Sequence, residues 1–386
     1  MNGPTLATRL SLFYAALFSI IGVQMPFWPL YLSSKGLNAA QIGQILAAAY
    51  TVKVFTNPLI GHVVDRRDER RRPLLILAVA GTIATALFAP AQGFAAIAAV
   101  TLVSAAAISS MMPLGDSLTM MNAASHHLDY GRIRLWGSLS FILTANLAGW
   151  TLVDAPRPLI LWSCVAFQAL TIAAVWNLPD IRTSRPAAVR PPPLKRLFAG
   201  GSFALFLATC SLTQVSHMIY YGFATLHWRA AGISGGVIGG LWAEGVAAEV
   251  ILFAFGARLI GRFGPLPLIC AGGLGGIIRW TVLGLTVDPL WLASVQFLHA
   301  LTFAANHLGA MHFINRFAPA GLSARAQAVY ASVANGIVPG LAMLAAGRLY
   351  GAFGGQAFFA MTLFSILGSG LSVVLLRRGI RPLAAA

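Results

Sequence analysis

The chain contains about twelve apolar stretches, each close to the ~20 residues that an α-helix needs to cross a bilayer. Of its 386 residues, 58% are hydrophobic and only 9% are charged, a composition that no soluble protein of this length would show. The sequence therefore predicts an all-α membrane protein. The predicted spans are residues 8–32, 41–63, 73–91, 94–120, 132–153, 157–178, 198–223, 233–257, 266–287, 289–315, 323–348 and 354–376.

Basic residues in the polar gaps predict the orientation of the chain. If both termini face the cytoplasm, most of these residues lie inside, which is the asymmetry of the positive-inside rule. We therefore expect a multi-pass protein of the inner membrane with both termini cytoplasmic. The net charge of +16 then reflects topology and contact with anionic lipid, and we expect no nucleic-acid partner. The inside group is Arg66, Arg67, Arg70, Arg71, Arg72, Arg182, Arg185, Arg190, Lys195, Arg196, Arg377, Arg378 and Arg381; the outside group is Lys35, Arg157, Arg229 and Arg348.

One gap differs from the others. Residues 179–197, PDIRTSRPAAVRPPPLKRL, combine proline with Arg and Lys and indicate an extended cytoplasmic linker. The linker separates residues 1–178 from residues 198–386, with six predicted spans in each part. Four positions recur 196 residues apart, which is typical of secondary transporters built from two pseudo-symmetric six-helix bundles with the site between them. They are Gly36, Gly43, Lys53 and Arg66, matched by Gly232, Gly239, Glu249 and Arg262.

Five charged residues lie at least four residues inside the ends of predicted spans: Lys53, Asp116, Glu244, Glu249 and Arg279. A charge at the centre of a spanning helix costs about 2.5 to 3.5 kcal/mol even on mild insertion scales. Such a residue is retained only with a partner or a function. We therefore expect these five side chains to mark the transport machinery.

The gap after the second predicted span reads GHVVDRRDERRR from Gly61. It resembles the GxxxDRxGRR signature of the major facilitator superfamily, with an acidic residue in place of the second glycine. The resemblance implies the major facilitator fold and a cytoplasmic charge relay that stabilises one state of an alternating-access cycle. The relay residues would be Gly61, Asp65, Arg66 and Arg70.

Two longer stretches narrow the family: DYGRIRLWGSL from Asp129, and Tyr220 to Gly232 followed by Leu241 to Glu249. They are similar to the phenylpropionate permease-like family, which lies next to the lactose/proton symporters within the superfamily. The segment PFWPLYL in the first span agrees with this resemblance.

The lactose symporters bind substrate with a carboxylate late in the fourth span, an arginine 18 positions later, and an aromatic ring seven positions after that. Asp116, Arg134 and Phe141 match this spacing. The resemblance therefore implies a substrate site around these three residues.

The coupling residues of the same family are matched in part. Glu249, Arg279 and His299 correspond to its eighth-span glutamate, ninth-span arginine and tenth-span histidine. At four other positions that family has charged residues, one of which is its proton-carrying glutamate. This chain has uncharged or histidine side chains at those positions. The residues at those four positions are Thr302, Gln296, His217 and Tyr220.

Burial favours the neutral form of a carboxyl group, whereas a nearby guanidinium favours its charged form. A Glu close to Arg279 can therefore change between its charged and neutral forms. We expect Glu249 to carry the proton, with Arg279 or Lys53 as its charge partner. The alternative is a permanent structural network of ion pairs. The other candidate carriers are Glu244, His299 and Asp116.

Aromatic and polar residues of several spans could line a pocket for an aromatic substrate: Gln24, Trp28, Phe141, His217, Tyr220 and Tyr221. Alternatively, the rings mark the membrane interface and the polar groups join helices. The histidines of the tenth span have no carboxylate at a ligand spacing, so we expect no metal and no cofactor.

The resemblance implies a monomeric permease that moves a small organic solute by alternating access, through proton symport of an aromatic carboxylate such as 3-phenylpropionate. Proton-coupled uptake of a sugar or nucleoside is the alternative, because Asp116 and Arg134 suit hydroxyl groups equally well. An efflux permease or a channel is less favoured. Gly115 to Leu118 spell a hydrolase nucleophile signature, but no acid follows Asp288 to complete it, so we expect no enzyme.

Overall fold

The computed structural model describes residues 3–67, 69–180, 193–319 and 322–378, without the side chains of residues 3, 4, 65 and 67. Over these ranges the chain is almost entirely helical and contains no strand. Helices are expected for apolar spans because they satisfy every backbone polar group internally. Most of the predicted linker lies outside the described residues, as does the side chain of Asp65 in the predicted relay loop.

Before the linker, the described residues form long helices separated by short turns. Helix α6 begins directly after Asp129, whose Oδ1 accepts the backbone N–H of Arg132 at 3.1 Å and caps the helix. The helices are α1 (Gly3–Ser34), α2 (Ala39–Arg67), α3 (Arg71–Ala86), α4 (Gly93–Ser109), α5 (Met111–His126), α6 (Tyr130–Leu152) and α7 (Pro158–Trp176).

After the linker, several predicted spans are divided into shorter helices. Two divisions are π-helical segments, Ala300–Ala305 and Val333–Ile337, and two 3-10 turns occur at Leu194–Phe198 and Gly354–Ala357. The α-helices are α8 (Ser202–Val215), α9 (Met218–Ala230), α10 (Gly235–Ala254), α11 (Gly256–Phe263), α12 (Pro265–Leu285), α13 (Pro289–Gln296), α14 (Asn306–Phe317), α15 (Ser323–Ser332), α16 (Val338–Phe353) and α17 (Phe358–Arg377).

Seven helical stretches in the described ranges are long and apolar enough to cross a membrane. Helices α2 and α6 are long but more polar and are not among them, so the count of twelve spans stays a prediction. The seven are Thr5–Ser34, Gly93–His126, Pro158–Trp176, Ser202–Ala230, Gly235–Ala254, Pro265–Leu285 and Ser323–Arg377.

The chain divides into two compact units. Unit 1 comprises Met1–Arg185 and Ala224–Ala243, and unit 2 comprises Pro186–Phe223 and Glu244–Ala386. Each unit has an apolar core of its own. The core of unit 1 includes Leu10, Phe13, Tyr14, Leu74, Met111 and Ile133; the core of unit 2 includes Phe206, Cys210, Ile269, Phe313, Tyr330 and Leu375.

In unit 1, helices α1 and α6 approach each other closely at Gly22. A Cβ added there would lie 3.0 Å from the carbonyl oxygen of Phe141 and would overlap the hydroxyl of Thr144. Tyr14 and Phe18 precede Gly22 at intervals of four residues and so share its face of α1. The close approach therefore sets these two rings against the first turns of α6.

In unit 2, glycines on α12 allow a similar approach to the π-helical segment Ala300–Ala305. A Cβ at Gly272 would lie 3.0 Å from the carbonyl oxygen of Leu301, and one at Gly275 would lie 3.1 Å from its Cβ. Arg279 follows Gly275 by one turn of α12. The small residues therefore place its side chain against the residues that flank the π-helical segment.

Candidate functional site

Arg134, in the second turn of α6, has its guanidinium stacked on an aromatic ring. Its Cζ is 4.0 Å from the ring centroid of Phe18 and 5.3 Å from that of Tyr14. Among the described residues Arg134 makes no hydrogen bond and no ion pair. Its planar fork of N–H donors is therefore available to a carboxylate, which it can bind in bidentate fashion.

Gly137 leaves the space that this stacked arrangement needs. A Cβ at this position would lie 2.8 Å from Cδ2 of Phe18 and 3.1 Å from Nη1 of Arg134. Any larger residue one turn after Arg134 would push the ring or the guanidinium aside. The stack is thus set by the backbone of α6 as well as by α1.

Asp116, on α5, receives hydrogen bonds from two tyrosines at one carboxylate oxygen. The hydroxyl of Tyr14 lies 2.6 Å from Oδ1 and that of Tyr130 lies 3.0 Å from the same atom. A distance of 2.6 Å is typical of a strong, charge-assisted O–H···O⁻ bond. Asp116 and Arg134 therefore both contact Tyr14 but do not pair with each other.

The other predicted substrate residues of unit 1 are placed differently. Phe141 is buried on α6 beside Gly22, and Gln24 is half-buried on α1. Trp28 is 5% exposed and packs against Tyr31 and Phe88, with ring centroids 4.8 Å and 4.9 Å away. Trp28 thus belongs to a packed aromatic cluster within unit 1.

Lys53 lies half-buried in the middle of α2. Its Nζ is 4.2 Å from the ring centroid of Tyr50, which is a cation–π contact. Within the described ranges it forms no ion pair.

The predicted relay loop is joined to α5 and to the end of α7. Nε of Arg70 donates to the hydroxyl of Ser117 at 2.9 Å. Oδ1 of Asp180 accepts the backbone N–H groups of Arg70 and Arg71 at 3.2 Å and 3.3 Å. A cavity of about 190 Å³ is lined by Gly61, Arg70 and Ser117, among other residues. Arg66, the other predicted relay arginine, has an exposed side chain.

Arg279, in unit 2, is fully buried at 0% exposure. Its Nη1 donates to Nδ1 of His299 at 2.9 Å and to the hydroxyl of Thr302 at 3.3 Å. Its Nη2 donates to Oε1 of Gln296 at 2.8 Å. The guanidinium also lies 4.5 Å from the ring centroids of Tyr220 and Trp280.

The guanidinium fixes the direction of the hydrogen bonds around it, because arginine can only donate. His299 must therefore accept at Nδ1, which leaves its proton on Nε2 when the ring is neutral. Nε2 lies 3.7 Å from Oε2 of Glu249, within ion-pair range but too long for a hydrogen bond. His299 thus lies between a buried cation and a carboxylate.

A second branch runs from Arg279 to His217. Nδ1 of His217 lies 3.0 Å from the carbonyl oxygen of Thr213, and its Nε2 lies 3.0 Å from the hydroxyl of Thr302. Because a carbonyl only accepts, His217 donates at Nδ1 and accepts from Thr302 at Nε2. Tyr221 stacks on the same imidazole, with ring centroids 5.4 Å apart.

A third branch joins Gln296 to Tyr220, whose hydroxyl lies 3.0 Å from Nε2 of the amide. Glu244, on α10, is close enough to Arg279 for an electrostatic interaction, without an ion pair to it in the described structure. The four positions that depart from the lactose symporters are thus joined into one hydrogen-bonded cradle around Arg279.

Comparison with known proteins identifies the family of the chain. Residues 7–361 match the family model described as "MFS_1 like family". The "Probable 3-phenylpropionic acid transporter" of Escherichia coli (strain K12) is 31% identical over 367 residues, which are 92% of this chain and 94% of that protein. This chain belongs to the MFS_1-like family.

Other proteins similar to this facilitator in sequence or in fold have names that give different substrates. The "Maltose permease" of Geobacillus stearothermophilus is 27% identical over 379 residues, covering 96% of this chain and 95% of that protein. The crystal structure of the nucleoside transporter NupG has a TM-score of 0.81 at 17% identity, covering 97% of this chain and 100% of that chain. The facilitator is a multi-pass membrane transporter with the fold of its superfamily, and it is not an enzyme.

Sequence reasoning missed several members of the facilitator's polar clusters. Tyr14 and Tyr130 were not predicted, since their hydroxyls lie in apolar or interfacial surroundings that look like ordinary packing. Thr302 and Gln296 were noted only as uncharged residues at positions that are charged in the lactose symporters. The signal that could have found them is their spacing, because each lies three residues from His299 on the same span.

Proposed function

We propose that this facilitator takes up a small aromatic carboxylate by proton symport. The observation that carries the proposal is the guanidinium of Arg134, stacked on Phe18 and without an ion pair in the described structure. An unpaired cation in a membrane protein is costly unless a ligand neutralises it. A carboxylate bound there, with its aromatic body near Phe141, would do so.

The 31% identical relative supports this choice, since its printed name is a 3-phenylpropionic acid transporter. A planar carboxylate matches the fork of a guanidinium in a way that a single sugar hydroxyl does not. We take 3-phenylpropionate as the substrate to test first, with maltose and a nucleoside as the competing classes.

For coupling, we propose that Glu249 takes up and releases the proton. His299 accepts from Arg279 at Nδ1, so it cannot gain a second proton without breaking that bond. Glu249 faces the other ring nitrogen at 3.7 Å, so its carboxyl group can gain or lose a proton without breaking the hydrogen bond between Arg279 and His299. Glu244, on the same helix, would act on the energetics of this step through Arg279 rather than carry the proton.

We also propose twelve spans in two six-helix bundles divided at residues 179–197, both termini in the cytoplasm, the inner membrane as location and a monomeric state. The basic residues of the gaps support this orientation through the positive-inside rule.

Charge balance gives a direct test. One proton moving with one monovalent carboxylate carries no net charge, whereas one proton moving with a neutral sugar or nucleoside carries one positive charge. Purified protein in proteoliposomes would be given labelled 3-phenylpropionate, maltose or uridine under an imposed pH gradient or an imposed membrane potential.

We expect 3-phenylpropionate to accumulate under the pH gradient and to respond little to the potential. Accumulation of maltose or uridine under the potential would instead establish the neutral-substrate alternative. Accumulation of none of the three under either gradient would contradict proton symport of these substrate classes.

A further inference from the structure

Three elements converge on Asp116: its own helix α5, Tyr14 from α1 and Tyr130 from α6. The two hydroxyls donate to one carboxylate oxygen, at 2.6 Å and 3.0 Å. The ring of Tyr14 also lies beside the guanidinium of Arg134, 5.3 Å from centroid to Cζ. Tyr14 therefore touches both the carboxylate and the cation, and its side chain is 0% exposed.

We propose that Tyr14 and Tyr130 are specificity-determining residues, which hold Asp116 away from Arg134 and so keep the guanidinium free for an anionic substrate. This inference rests on the proposed function only for the identity of that anion. The two hydrogen bonds from Tyr14 and Tyr130 to Asp116 involve only residues of unit 1, and their effect on Arg134 can be measured without any substrate.

Asp116 and a substrate carboxylate compete for Arg134. A carboxylate and a guanidinium in a partly buried, low-dielectric site attract each other strongly. Asp116 and Arg134 both contact Tyr14, so this carboxylate competes for the guanidinium. Two charge-assisted hydrogen bonds to Asp116 satisfy the carboxylate in another way, each contributing more than a neutral hydrogen bond.

The consequence is selection of negatively charged substrates over neutral ones. If Asp116 paired with Arg134, a substrate carboxylate would have to displace it and a hydroxylated neutral solute would be the better ligand. With Asp116 bound by tyrosines, no carboxylate among the described residues pairs with the stacked guanidinium. Residues that touch no substrate would thus decide between carboxylate and neutral solute.

The first test uses the double variant Tyr14→Phe with Tyr130→Phe, which removes both hydroxyls and keeps both rings. Labelling of the purified protein with phenylglyoxal, a guanidinium reagent, would be quantified at Arg134 by mass spectrometry. Arg132, two residues away and largely exposed, provides the internal reference. Tyr31→Phe is the matched control, since it removes a buried hydroxyl that donates to the backbone of Phe88 at 2.9 Å.

We expect labelling at Arg134 to fall about tenfold in the double variant, because the released Asp116 pairs with it. Adding Asp116→Asn should restore labelling to near the wild-type level, and Tyr31→Phe should leave it unchanged. Unchanged labelling in a folded double variant, or no recovery on adding Asp116→Asn, would overturn the inference.

The second readout is exchange of labelled 3-phenylpropionate across proteoliposomes without a gradient, competed by the neutral amide of the same acid. The double variant should lose about tenfold in apparent affinity for the acid but not for the amide, and Asp116→Asn should reverse the loss. If the wild type exchanges no 3-phenylpropionate, the proposed substrate fails, while the labelling result still decides the inference.

Discussion

At the residue scale, the side-chain groups that accept hydrogen bonds from the buried Arg279 carry no negative charge. The guanidinium donates to His299, Thr302 and Gln296, and no carboxylate pairs with it directly in the described ranges. Removing such a charge from water costs several kcal/mol even with hydrogen bonds in place. A nearby group that can be charged or neutral, such as Glu249, therefore changes the energy of the whole cradle.

Glu249→Gln removes the titrating group and keeps its size. We expect this variant to exchange 3-phenylpropionate across the membrane but to lose accumulation under a pH gradient, because exchange needs no net proton movement. Glu244→Gln, on the same helix, is the comparison and should still accumulate substrate. Accumulation by Glu249→Gln at the wild-type level would exclude this residue as the carrier.

Arg134→Lys keeps the positive charge but loses the planar fork and its stacking on Phe18. The apparent affinity for 3-phenylpropionate should fall about tenfold or more, which corresponds to about 1.4 kcal/mol. The measurement is competition of labelled substrate in the exchange assay. Arg132→Lys, two residues away and exposed, should keep the wild-type affinity; equal affinity in both variants would argue against a bidentate site.

At the element scale, glycines determine where helices can meet. In unit 1, helix α10 crosses α6 with backbone against backbone, since a Cβ at Gly239 would lie 2.6 Å from the carbonyl oxygen of Ala145 and 3.0 Å from Cα of Gly149. Backbone atoms cannot move aside as a flexible side chain can.

Gly239→Ala should therefore strain this crossing by about 1 to 3 kcal/mol, the usual cost of overpacking. Thermal unfolding in mild detergent should show a lower midpoint than the wild type. The neighbouring Gly240→Ala is the matched control, because its nearest contact, Nδ2 of Asn146, is 3.9 Å away. A midpoint for Gly239→Ala as high as that for Gly240→Ala would mean that the helices separate without cost.

At the scale of the whole molecule, hydropathy was sufficient to predict where the helices lie. Each predicted apolar stretch coincides with helical residues, because a backbone in lipid has few other ways to satisfy its polar groups. Hydropathy could not predict the break at Ser110 or the π-helical segments, since those depend on local hydrogen-bond register and on close packing between helices.

The candidate sites were predicted in part for a related reason. A charge in an apolar span is visible in the sequence, so Arg279 and Asp116 were identified at once. Tyr14 and Thr302 were not identified as their partners, because they are ordinary residues of apolar helices until the fold brings them to a charge. Tertiary contact, rather than residue type, makes them part of a site.

The predicted topology depends on whether helix α2 crosses the membrane. It is 29 residues long, or about 43 Å at 1.5 Å per residue, which exceeds the ~30 Å of the hydrocarbon core. Its polar residues, including Lys53, keep it from ranking among the clearly apolar spans. A helix of this length spans with tilt when its polar residues face protein rather than lipid.

Reporter fusions on either side of α2 test this arrangement. Alkaline phosphatase, active only outside the cytoplasm, should be active when fused after Leu37 and inactive when fused after Glu69. Green fluorescent protein, which folds in the cytoplasm, should give the opposite pattern at the same two sites, and the basic residues that follow α2 are the physical reason. Phosphatase activity on both sides would place α2 outside the membrane and reverse every span assigned after it.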